Sequence, residues 1–490
     1  MDHVDVAVIG AGFGGLATAL TLVDRGADVT LFERLTYPGG CASTFSRQGY
    51  RFESGATLIS GLGDGQLFRR WIDDYELDVE AELLDPVVEL RTPTFELSIP
   101  GHRDGLVEQL CDFEAAPADR IRQFFIWQKK IADTLWELFD DPSLLPPLDI
   151  KSLSRHLVHS PRYARLFPLI NRSLREILEA RNLWDFRPLR TYLDALCQIT
   201  VQTSAERAEA PFALAAMDYL FRGAGHIHGG IGRLAESLAT TIEERGGQVH
   251  YADAVEAIEK DNGQWIVESR RRELSATTIV ANLPPHNLAE LLDISPAASP
   301  TLRRLDDQVE TGWGAAMLYR GLAADRLSNP SPHHIELIDD PDAPFREGNH
   351  LFCSVSGAGE TDRAPTGERV ATISTHVDMN RLLSSDESDR ADYIDAIYRQ
   401  MRTTIERRAP QLHEATVSEM TASPRTFERF TARYRGYVGG IPREVGFHNY
   451  RQIGPQEIDD GLYLVGDTIF PGQSTLAVAI GGIKTAQAII

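Results

Sequence analysis

Three glycines near the N-terminus have the spacing of a nucleotide-binding turn. Gly10, Gly12 and Gly15 form a G-x-G-x-x-G pattern between an apolar stretch, residues 4–9, and a helix-like stretch that stops at Gly26. Such a turn lets the backbone approach a pyrophosphate at a helix N-terminus, where unpaired N–H groups and the helix dipole favour anions. We therefore predict a dinucleotide site; the alternative is a glycine-rich turn that serves close packing alone.

Two acidic residues follow predicted strands and would extend this site. Glu33 ends the strand that comes after the glycine-turn helix, where a carboxylate can accept hydrogen bonds from both hydroxyls of an adenosine ribose. Asp467 ends the late strand GLYLVGD. A second acid so far along the chain suits a long cofactor such as FAD that runs across the sheet, although aspartate is also common in turns.

The elements that must position these residues alternate between strand and helix, which predicts a parallel sheet. We expect a hairpin over 86–100, helices through most of 103–222, a helix that ends at Arg245, and one strand over 248–258. Residues 36–45 and 49–61 are predicted to be loop, and a final helix should begin near Thr475. The fold class predicted is α/β, a Rossmann-type unit with a discontinuous second unit of helices and sheet.

Composition narrows the functional classes. The 490 residues are 42% hydrophobic, enough for a full-sized core, and their net charge of −22 should repel nucleic acid. The four cysteines form no CxxC pair, so no zinc ribbon, metal site or disulfide framework is indicated and a reducing cytosol is expected. No signal peptide and no run of 18 or more apolar residues is recognised, so the protein is expected to be cytoplasmic.

Five motifs together resemble those of the flavin-dependent carotenoid desaturases and isomerases, within the wider flavin amine-oxidase-like superfamily. They are GAGFGG, Glu33-Arg34 followed by Gly39-Gly40, GYRFESGAT, HGGIGRL and GLYLVGDTIFPGQSTLAVAIGG. The likeness covers both ends and the middle of the chain, and the Gly-Gly-Cys-Ala loop is closest to the C-3′,4′ desaturase and prolycopene isomerase branch. It implies an FAD-dependent oxidoreductase that acts on a long hydrophobic polyene by hydride transfer to flavin N5.

The resemblance also assigns cofactor-binding positions. Gly10, Gly12 and Gly15 would bind the pyrophosphate, Glu33 the ribose, and Val255 the adenine through its backbone. The remaining expected contacts are with the phosphates, the isoalloxazine and the ribityl chain, and they are Arg34, Gly40, Gly55, Ala56, Thr57, Leu58, Gly466, Asp467, Thr475 and Leu476. The helix that begins near Thr475 would direct its N–H groups at the charge on a reduced flavin.

One position departs from the family pattern. Many relatives carry arginine after the Gly-Gly pair, where this chain has Cys41. A thiol cannot neutralise phosphate charge, so Cys41 is either a small residue that fits a crowded loop or a site of covalent flavin attachment. No strong catalytic acid or base is required by hydride transfer, and Glu53, Asp194 and His228 are the candidate proton acceptors.

Residues 151–190 carry nine basic and three acidic residues within an acidic chain, with large apolar residues interleaved. Such a mixture suits an anionic lipid surface, so a peripheral membrane-docking face is predicted over about 120–190. The alternative is a helical subdomain with a solvated arginine face. The apolar residues that prompted the hypothesis are Phe124, Phe125, Trp127, Leu144, Leu145, Leu166, Phe167, Leu169, Leu183, Trp184 and Phe186.

Several functions remain open at this point. A carotenoid cis–trans isomerase or a polyene saturase would share the fold, and desaturation needs an electron acceptor that the residues do not specify. A flavin amine oxidase is disfavoured because no lysine occurs between residues 261 and 483. A lipid escort protein without flavin is disfavoured by Glu33 and Asp467. We expect an FAD-binding domain over 1–85, 225–300 and 421–490, and a substrate domain over 86–224 and 301–420, helical at 102–222.

Overall fold

The computed structural model describes residues 2–141, 144, 162–328, 332–451 and 453–490. Its strands lie mainly in two large sheets. In chain order they are β1 Asp2–Ile9, β2 Val29–Phe32, β3 Thr44–Arg47, β4 Tyr50–Glu53, β5 Ala81–Leu83, β6 Val88–Arg91, β7 Glu96–Ile99, β8 Gly225–Ile227, β9 Gln248–His250, β10 Val255–Asp261, β11 Gln264–Ser269, β12 Glu273–Ala281, β13 Trp313–Ala323, β14 His334–Ile338, β15 His350–Val355, β16 Glu368–Asp378, β17 Thr416–Ala422, β18 Gln456–Asp459 and β19 Leu462–Leu464.

The helices cover the sheets and build a separate helical region between β7 and β8. In chain order they are α1 Phe13–Val23, α2 Leu67–Asp74, α3 Arg103–Asp112, α4 Ala118–Asp140, α5 Leu174–Glu179, α6 Arg187–Thr200, α7 Ala210–Ala216, α8 Gly232–Glu244, α9 Pro285–Leu291, α10 Pro300–Val309, α11 Met379–Ser384, α12 Glu387–Arg408, α13 Pro410–Ala415, α14 Pro424–Thr431 and α15 Thr475–Ile489.

The first sheet brings distant strand ends to one edge. Its order is β10-β11-β12-β1-β2-β9, with β19 paired to β12 and β18 to β19. Strand β1 pairs in parallel with both β12 and β2, and β12 pairs in parallel with β19. Parallel strands end at the same edge of a sheet, where ligands of open α/β folds bind. The segments that begin at Gly10, Glu33, Asn282 and Val465 therefore emerge side by side.

The second sheet has the order β17-β13-β16-β15-β14-β6-β7. All of its pairings are antiparallel except the parallel pairing of β14 with β6. Strands β14 and β15 are buried along their whole length, including the polar residues His334, Glu336 and His350.

The first and last helices pack against each other through small residues. Thr18 donates a hydrogen bond to the carbonyl oxygen of Gly482, 3.2 Å away, and a Cβ at Gly482 would lie 2.3 Å from the carbonyl oxygen of Gly14. Helix α1 ends just before Gly26, whose φ of +84° is the left-handed conformation that favours glycine after a helix. The N-terminal ends of α1 and α15 are thus held near the same sheet edge.

The predicted α/β class is confirmed, whereas two local predictions were wrong. The predicted loop contains a hairpin, since β3 and β4 pair antiparallel. The single strand expected over 248–258 is broken: β9 lies beside β2, β10 pairs with β11, and Ala252 between them has a φ of +51°. The first sheet takes its strands from residues 2–32, 248–281 and 456–464; the domain boundaries themselves stay a prediction.

Candidate functional site

A cavity of about 610 Å³ lies at the carboxyl edge of the first sheet. Residues from both sheets, the helical region and α15 line it. The predicted cofactor positions that line this cavity are Gly10, Gly12, Glu33, Arg34, Gly40, Cys41, Gly55, Ala56, Thr57, Leu58, Val255, Gly466, Asp467, Thr475 and Leu476. The structure therefore brings together residues that the sequence separates by more than four hundred positions.

Gly15 is the predicted cofactor residue that does not line the cavity. A Cβ at Gly15 would lie 2.1 Å from the carbonyl oxygen of Gly10, so this glycine lets helix α1 pack onto its own turn. Gly10 has a φ of +95°, and Gly12 precedes α1 as an N-cap with no side-chain hydrogen bond. The start of α1 is thus open to an anion from the cavity.

Glu33 is fixed at the end of β2 by two backbone groups. Its Oε2 accepts the Ala11 N–H and its Oε1 accepts the Leu35 N–H, each at 2.8 Å. Burial raises the pKa of Glu33, an effect that these two hydrogen bonds oppose. The adjacent Arg34 has its pKa lowered by burial and by Arg270. The carboxylate is therefore anchored to the glycine turn and lies in the cavity wall.

Asn282 is a site residue that the sequence analysis missed. It directly follows β12, lines the cavity and donates from Nδ2 to the Gly10 carbonyl oxygen at 3.2 Å. A Cβ at Gly12 would lie 2.7 Å from its Nδ2, and one at Gly14 would lie 2.9 Å from its Oδ1. Asn282 explains why these turn positions are glycine. Its place after the apolar strand TTIVA was the signal that could have found it.

Asp467 carries a buried arginine partner that the sequence analysis also missed. Arg433 Nη2 lies 2.8 Å from Asp467 Oδ2, and Arg433 Nε donates to the Tyr437 carbonyl oxygen at 2.6 Å. Burial opposes the charge on Arg433, but Asp467 and Cys41 outweigh it and raise the pKa of Arg433. Burial raises the pKa of the Cys41 thiol, with Arg433 acting in the opposite direction. This cluster joins the Gly-Gly loop to the last strand.

The start of α15 also lies in the cavity wall. Ser474, its N-cap, has a φ of +104°, which is unusual for a residue with a side chain, and its hydroxyl accepts the Ala477 N–H at 3.1 Å. The Thr475 hydroxyl is buried without a hydrogen-bond partner among the described residues. A strained cap and an orphaned hydroxyl are features of a site that receives a ligand.

Much of the remaining lining is apolar, and we call it the apolar wall. It comes from α4, α6, α7, the turn after α7, β13 and β15, and consists of Trp136, Phe139, Ile199, Phe212, Ala215, Ala216, Tyr219, Met317 and Phe352. The carboxylates that line the cavity are Glu33, Glu290 and Asp467. Glu290 accepts a hydrogen bond from Asn287 at 3.0 Å, so each of the three already has a partner.

His376 on β16 is a further lining residue that sequence reasoning did not find. Burial, reinforced by His350, lowers the pKa of His376 to about 3. The imidazole is consequently neutral at physiological pH and adds no charge to the cavity.

The three candidate proton acceptors are not among the cavity-lining residues. Glu53 accepts from Thr44 Oγ1 at 2.9 Å and from the Ile231 N–H at 3.1 Å, and Arg363 Nη1 lies 3.4 Å away. Asp194 accepts the Ala205 N–H at 2.9 Å. His228 Nε2 is 3.7 Å from Glu82. Their partners give Glu53 and Asp194 structural roles in joining distant segments.

The proposed docking segment is only partly described, because residues 145–161, including Leu145, lie outside the described residues. Phe124, Phe125, Leu144, Leu169 and Leu183 are buried in the core rather than exposed. Trp127, Leu166, Trp184 and Phe186 pack partly against that core, whereas Phe167 is 70% exposed. Among the described residues of 151–190, five arginines contact acidic residues: Arg162, Arg172, Arg175, Arg187 and Arg190.

In the part of the chain that the structure describes, no helix combines the length and the apolarity needed to cross a bilayer.

Comparison with known proteins agrees with this geometry. The family model for flavin-containing amine oxidoreductases matches residues 13–490. A chloroplastic prolycopene isomerase of an Oncidium hybrid cultivar is 25% identical and covers 100% of this chain and 84% of its own. The neurosporene-forming phytoene desaturase of Rhodobacter capsulatus is 24% identical, covering 98% of this chain and 93% of its own. The family resemblance drawn from the motifs is thereby confirmed.

Solved structures share the fold. An oxidoreductase from Methanosarcina mazei superimposes with a TM-score of 0.63 at 18% identity, covering 99% of this chain and 100% of that one. A putrescine oxidase variant gives a TM-score of 0.66 at 14% identity, covering 100% of this chain and 99% of that one.

Proposed function

The chain belongs to the flavin-containing amine oxidoreductases, and on that premise we propose that it is an FAD-dependent enzyme acting on a long hydrophobic polyene of the carotenoid type. The observation that carries the proposal is a single cavity lined both by the glycine turn with its acids and by the apolar wall. One part suits a dinucleotide and the other suits a hydrocarbon.

The residues present fit FAD. The open start of α1 and the glycines of its turn suit a pyrophosphate, and Glu33 and Asp467 offer carboxylate oxygens to ribose and ribityl hydroxyls. Val255 lies in the wall where its backbone can meet the adenine, and the buried Thr475 hydroxyl has no hydrogen-bond partner among the residues that the structure describes. A bound flavin would supply the capacity to accept or return a hydride at N5.

The chain's own residues would position the substrate and exclude water. The apolar wall holds a hydrocarbon against the cofactor region, and the N–H groups at the start of α15 stabilise negative charge that develops there. No strong acid or base is required, which agrees with the neutral His376 in the cavity.

An amine substrate is disfavoured by the same cavity. A protonated amine loses hydration on entering an apolar chamber and needs a carboxylate partner. Of the carboxylates in the lining, Glu33 and Asp467 belong to the proposed cofactor region, and Glu290 already accepts a hydrogen bond from Asn287. The absence of lysine between residues 261 and 483 also separates the chain from amine oxidases that use a lysine near the flavin.

Desaturation is the reaction we propose first, with cis–trans isomerisation as the second candidate. The second is favoured by prolycopene isomerases from Oncidium and Arabidopsis thaliana, which match 99–100% of this chain at 25–26% identity.

The test is reconstitution of the purified protein with FAD in liposomes that carry a panel of acyclic and cyclic carotenoids. Desaturation is expected to red-shift the absorption and remove a pair of hydrogens; isomerisation gives a small shift at unchanged mass, and saturation a blue shift. A protein that purifies without flavin, binds none on addition and carries the polyene unchanged would instead be a lipid escort.

We further propose that the protein is cytoplasmic and docks peripherally on a membrane. At about 0.8 kcal/mol per carbon, moving a forty-carbon hydrocarbon into water costs on the order of 30 kcal/mol, so delivery through water is negligible. Ile126 and Phe167 are 60% and 70% exposed at the two sides of the incompletely described segment.

Flotation with phosphatidylcholine vesicles, with and without phosphatidylglycerol, tests this docking. Stronger binding to the anionic vesicles is expected, and Phe167→Ser should weaken it. Phe430→Ser, at another exposed phenylalanine (51%), is the matched control. Equal binding to both vesicle types, or binding to neither, contradicts electrostatic docking.

A further inference from the structure

The Gly-Gly loop lies directly on the glycine turn but carries no positive charge. Gly39 and Gly12 form a β-bridge, and a Cβ at Gly40 would lie 3.5 Å from the Gly12 Cα. Cys41 follows in this loop and lines the cavity. Because burial raises the pKa of the Cys41 thiol, the residue is neutral there. A cofactor pyrophosphate at this place would find no cation on the loop.

We propose that Arg433, supplied by the segment after α14, provides the positive charge for the pyrophosphate that Cys41 cannot provide. Arg433 lines the cavity and is close enough to Cys41 for each to influence the pKa of the other. The hydrogen bonds of Arg433 to described residues use Nε and Nη2. A guanidinium has further N–H donors, and its planar fork matches phosphate oxygens.

The charges around the cavity support this assignment. Among the described residues that line it, Arg34 and Arg433 are the two arginines, and His376 is neutral. Arg34 directly follows Glu33 at the ribose position, where Arg270 also lowers its pKa. Arg433 is only 13% exposed and is paired with Asp467. A buried dianionic group placed beside Asp467 requires such a cation.

The pairing with Asp467 gives Arg433 a second effect, because it holds that carboxylate in one orientation. Loss of Arg433 would therefore act both on phosphate binding and on Asp467, and the experiment has to separate the two. Riboflavin does this, since it has the isoalloxazine and ribityl chain but no phosphate.

This inference rests on the proposed FAD binding and is tested by equilibrium titration of the flavin-free protein, monitored by flavin fluorescence. Arg433→Gln is expected to weaken FAD binding by about tenfold or more, as for loss of a charge-assisted hydrogen bond, and to weaken riboflavin binding only by the smaller part that acts through Asp467. Arg435→Gln is the matched control, because Arg435 is 43% exposed and does not line the cavity.

The decisive variant moves the charge. Cys41→Arg combined with Arg433→Gln should regain most of the FAD affinity, while riboflavin binding stays at the value of the Arg433→Gln variant. Circular dichroism and thermal unfolding of each flavin-free variant verify that it folds. If Arg433→Gln alone does not fold, the double variant Arg433→Gln/Asp467→Asn replaces it, because it removes both charges of the pair. Unchanged FAD affinity in Arg433→Gln, or equal losses for FAD and riboflavin, overturns the inference. Wild-type protein that binds no FAD overturns the proposed function itself.

Discussion

Thr18 in α1 donates a hydrogen bond to the Gly482 carbonyl oxygen in α15, 3.2 Å away and 464 positions later in the chain. This contact fixes the distance between the two helices whose N-terminal ends line the cavity. The glycine turn and the last strand meet at the same place, since a Cβ at Gly14 would lie 3.4 Å from the Gly466 nitrogen.

We predict that Gly482→Ala separates α1 from α15. The added Cβ would lie 2.3 Å from the Gly14 carbonyl oxygen, a backbone atom that cannot turn aside. The free energy of unfolding should fall by about 1–3 kcal/mol, the usual cost of overpacking, and FAD binding should weaken. Urea unfolding and flavin titration measure the two effects. Gly359→Ala is the control, because nothing lies within 4 Å of its added Cβ. A variant as stable as wild type would contradict the packing argument.

A second prediction concerns the two hydrogen bonds of Glu33. Glu33→Gln keeps the shape but places an NH₂ group against either the Ala11 or the Leu35 N–H, so one of the two hydrogen bonds is lost. We expect the free energy of unfolding to fall by about 1–3 kcal/mol and FAD affinity to fall with it. Chemical unfolding and flavin titration are the measurements. Glu259→Gln, at an exposed position on β10, should change neither quantity. Normal FAD binding by Glu33→Gln would remove Glu33 from the ribose site.

The residues that could be predicted from sequence carry local signals. Gly10 and Gly12 sit between a strand and a helix, and Glu33 and Asp467 follow apolar strands, so each can be placed at the carboxyl edge of a parallel sheet without knowledge of the rest. Asn282 also directly follows an apolar strand, but an asparagine at such a position is less indicative of nucleotide binding than a glycine or an acid.

The residues that the sequence analysis missed depend on contacts between distant segments. Arg433 lies in an irregular stretch after α14, and only the folded chain brings it to Asp467. Glu53, one of the candidate proton acceptors, has its carboxylate bound to Thr44 and the Ile231 N–H. The hydrophobic periodicity of a sequence does not predict such side-chain contacts, because they depend on how whole helices and strands are arranged in the fold.

The pKa of Asp194 predicts how the free energy of unfolding depends on pH, and this effect can be measured separately from catalysis. Burial raises the pKa of Asp194 to about 6. Aspartates of an unfolded chain have a pKa of about 4, so the folded protein binds a proton at Asp194 more tightly than the unfolded chain does. Stability from this group is therefore present at low pH and is lost as pH rises from about 4 to about 6. Asp194→Asn, which keeps an acceptor for Ala205, should remove this loss.

The measurement is urea unfolding of both proteins across that pH range. Relative to wild type, Asp194→Asn should gain up to about 3 kcal/mol between pH 4 and pH 7, from roughly two pKa units at about 1.4 kcal/mol each. Asp185→Asn, at an exposed aspartate, is the control for the change from a carboxylate to an amide. Turnover should be unchanged, because Asp194 does not line the cavity. A large loss of turnover in a stable Asp194→Asn protein would restore it as a proton acceptor.

Ala216 allows the two parts of the cavity to be tested separately. It ends α7 and belongs to the apolar wall, so Ala216→Trp places an indole in the space proposed for the polyene. Turnover of a forty-carbon polyene should fall at least about tenfold, because overpacking of this size costs more than about 1.4 kcal/mol. FAD affinity should stay at the wild-type value, since the glycine turn and Asp467 are untouched. Ala180→Trp, on an exposed helix end, controls for the added tryptophan. If Ala216→Trp lost FAD and kept polyene turnover, the apolar wall would belong to the cofactor and the substrate would have to bind elsewhere.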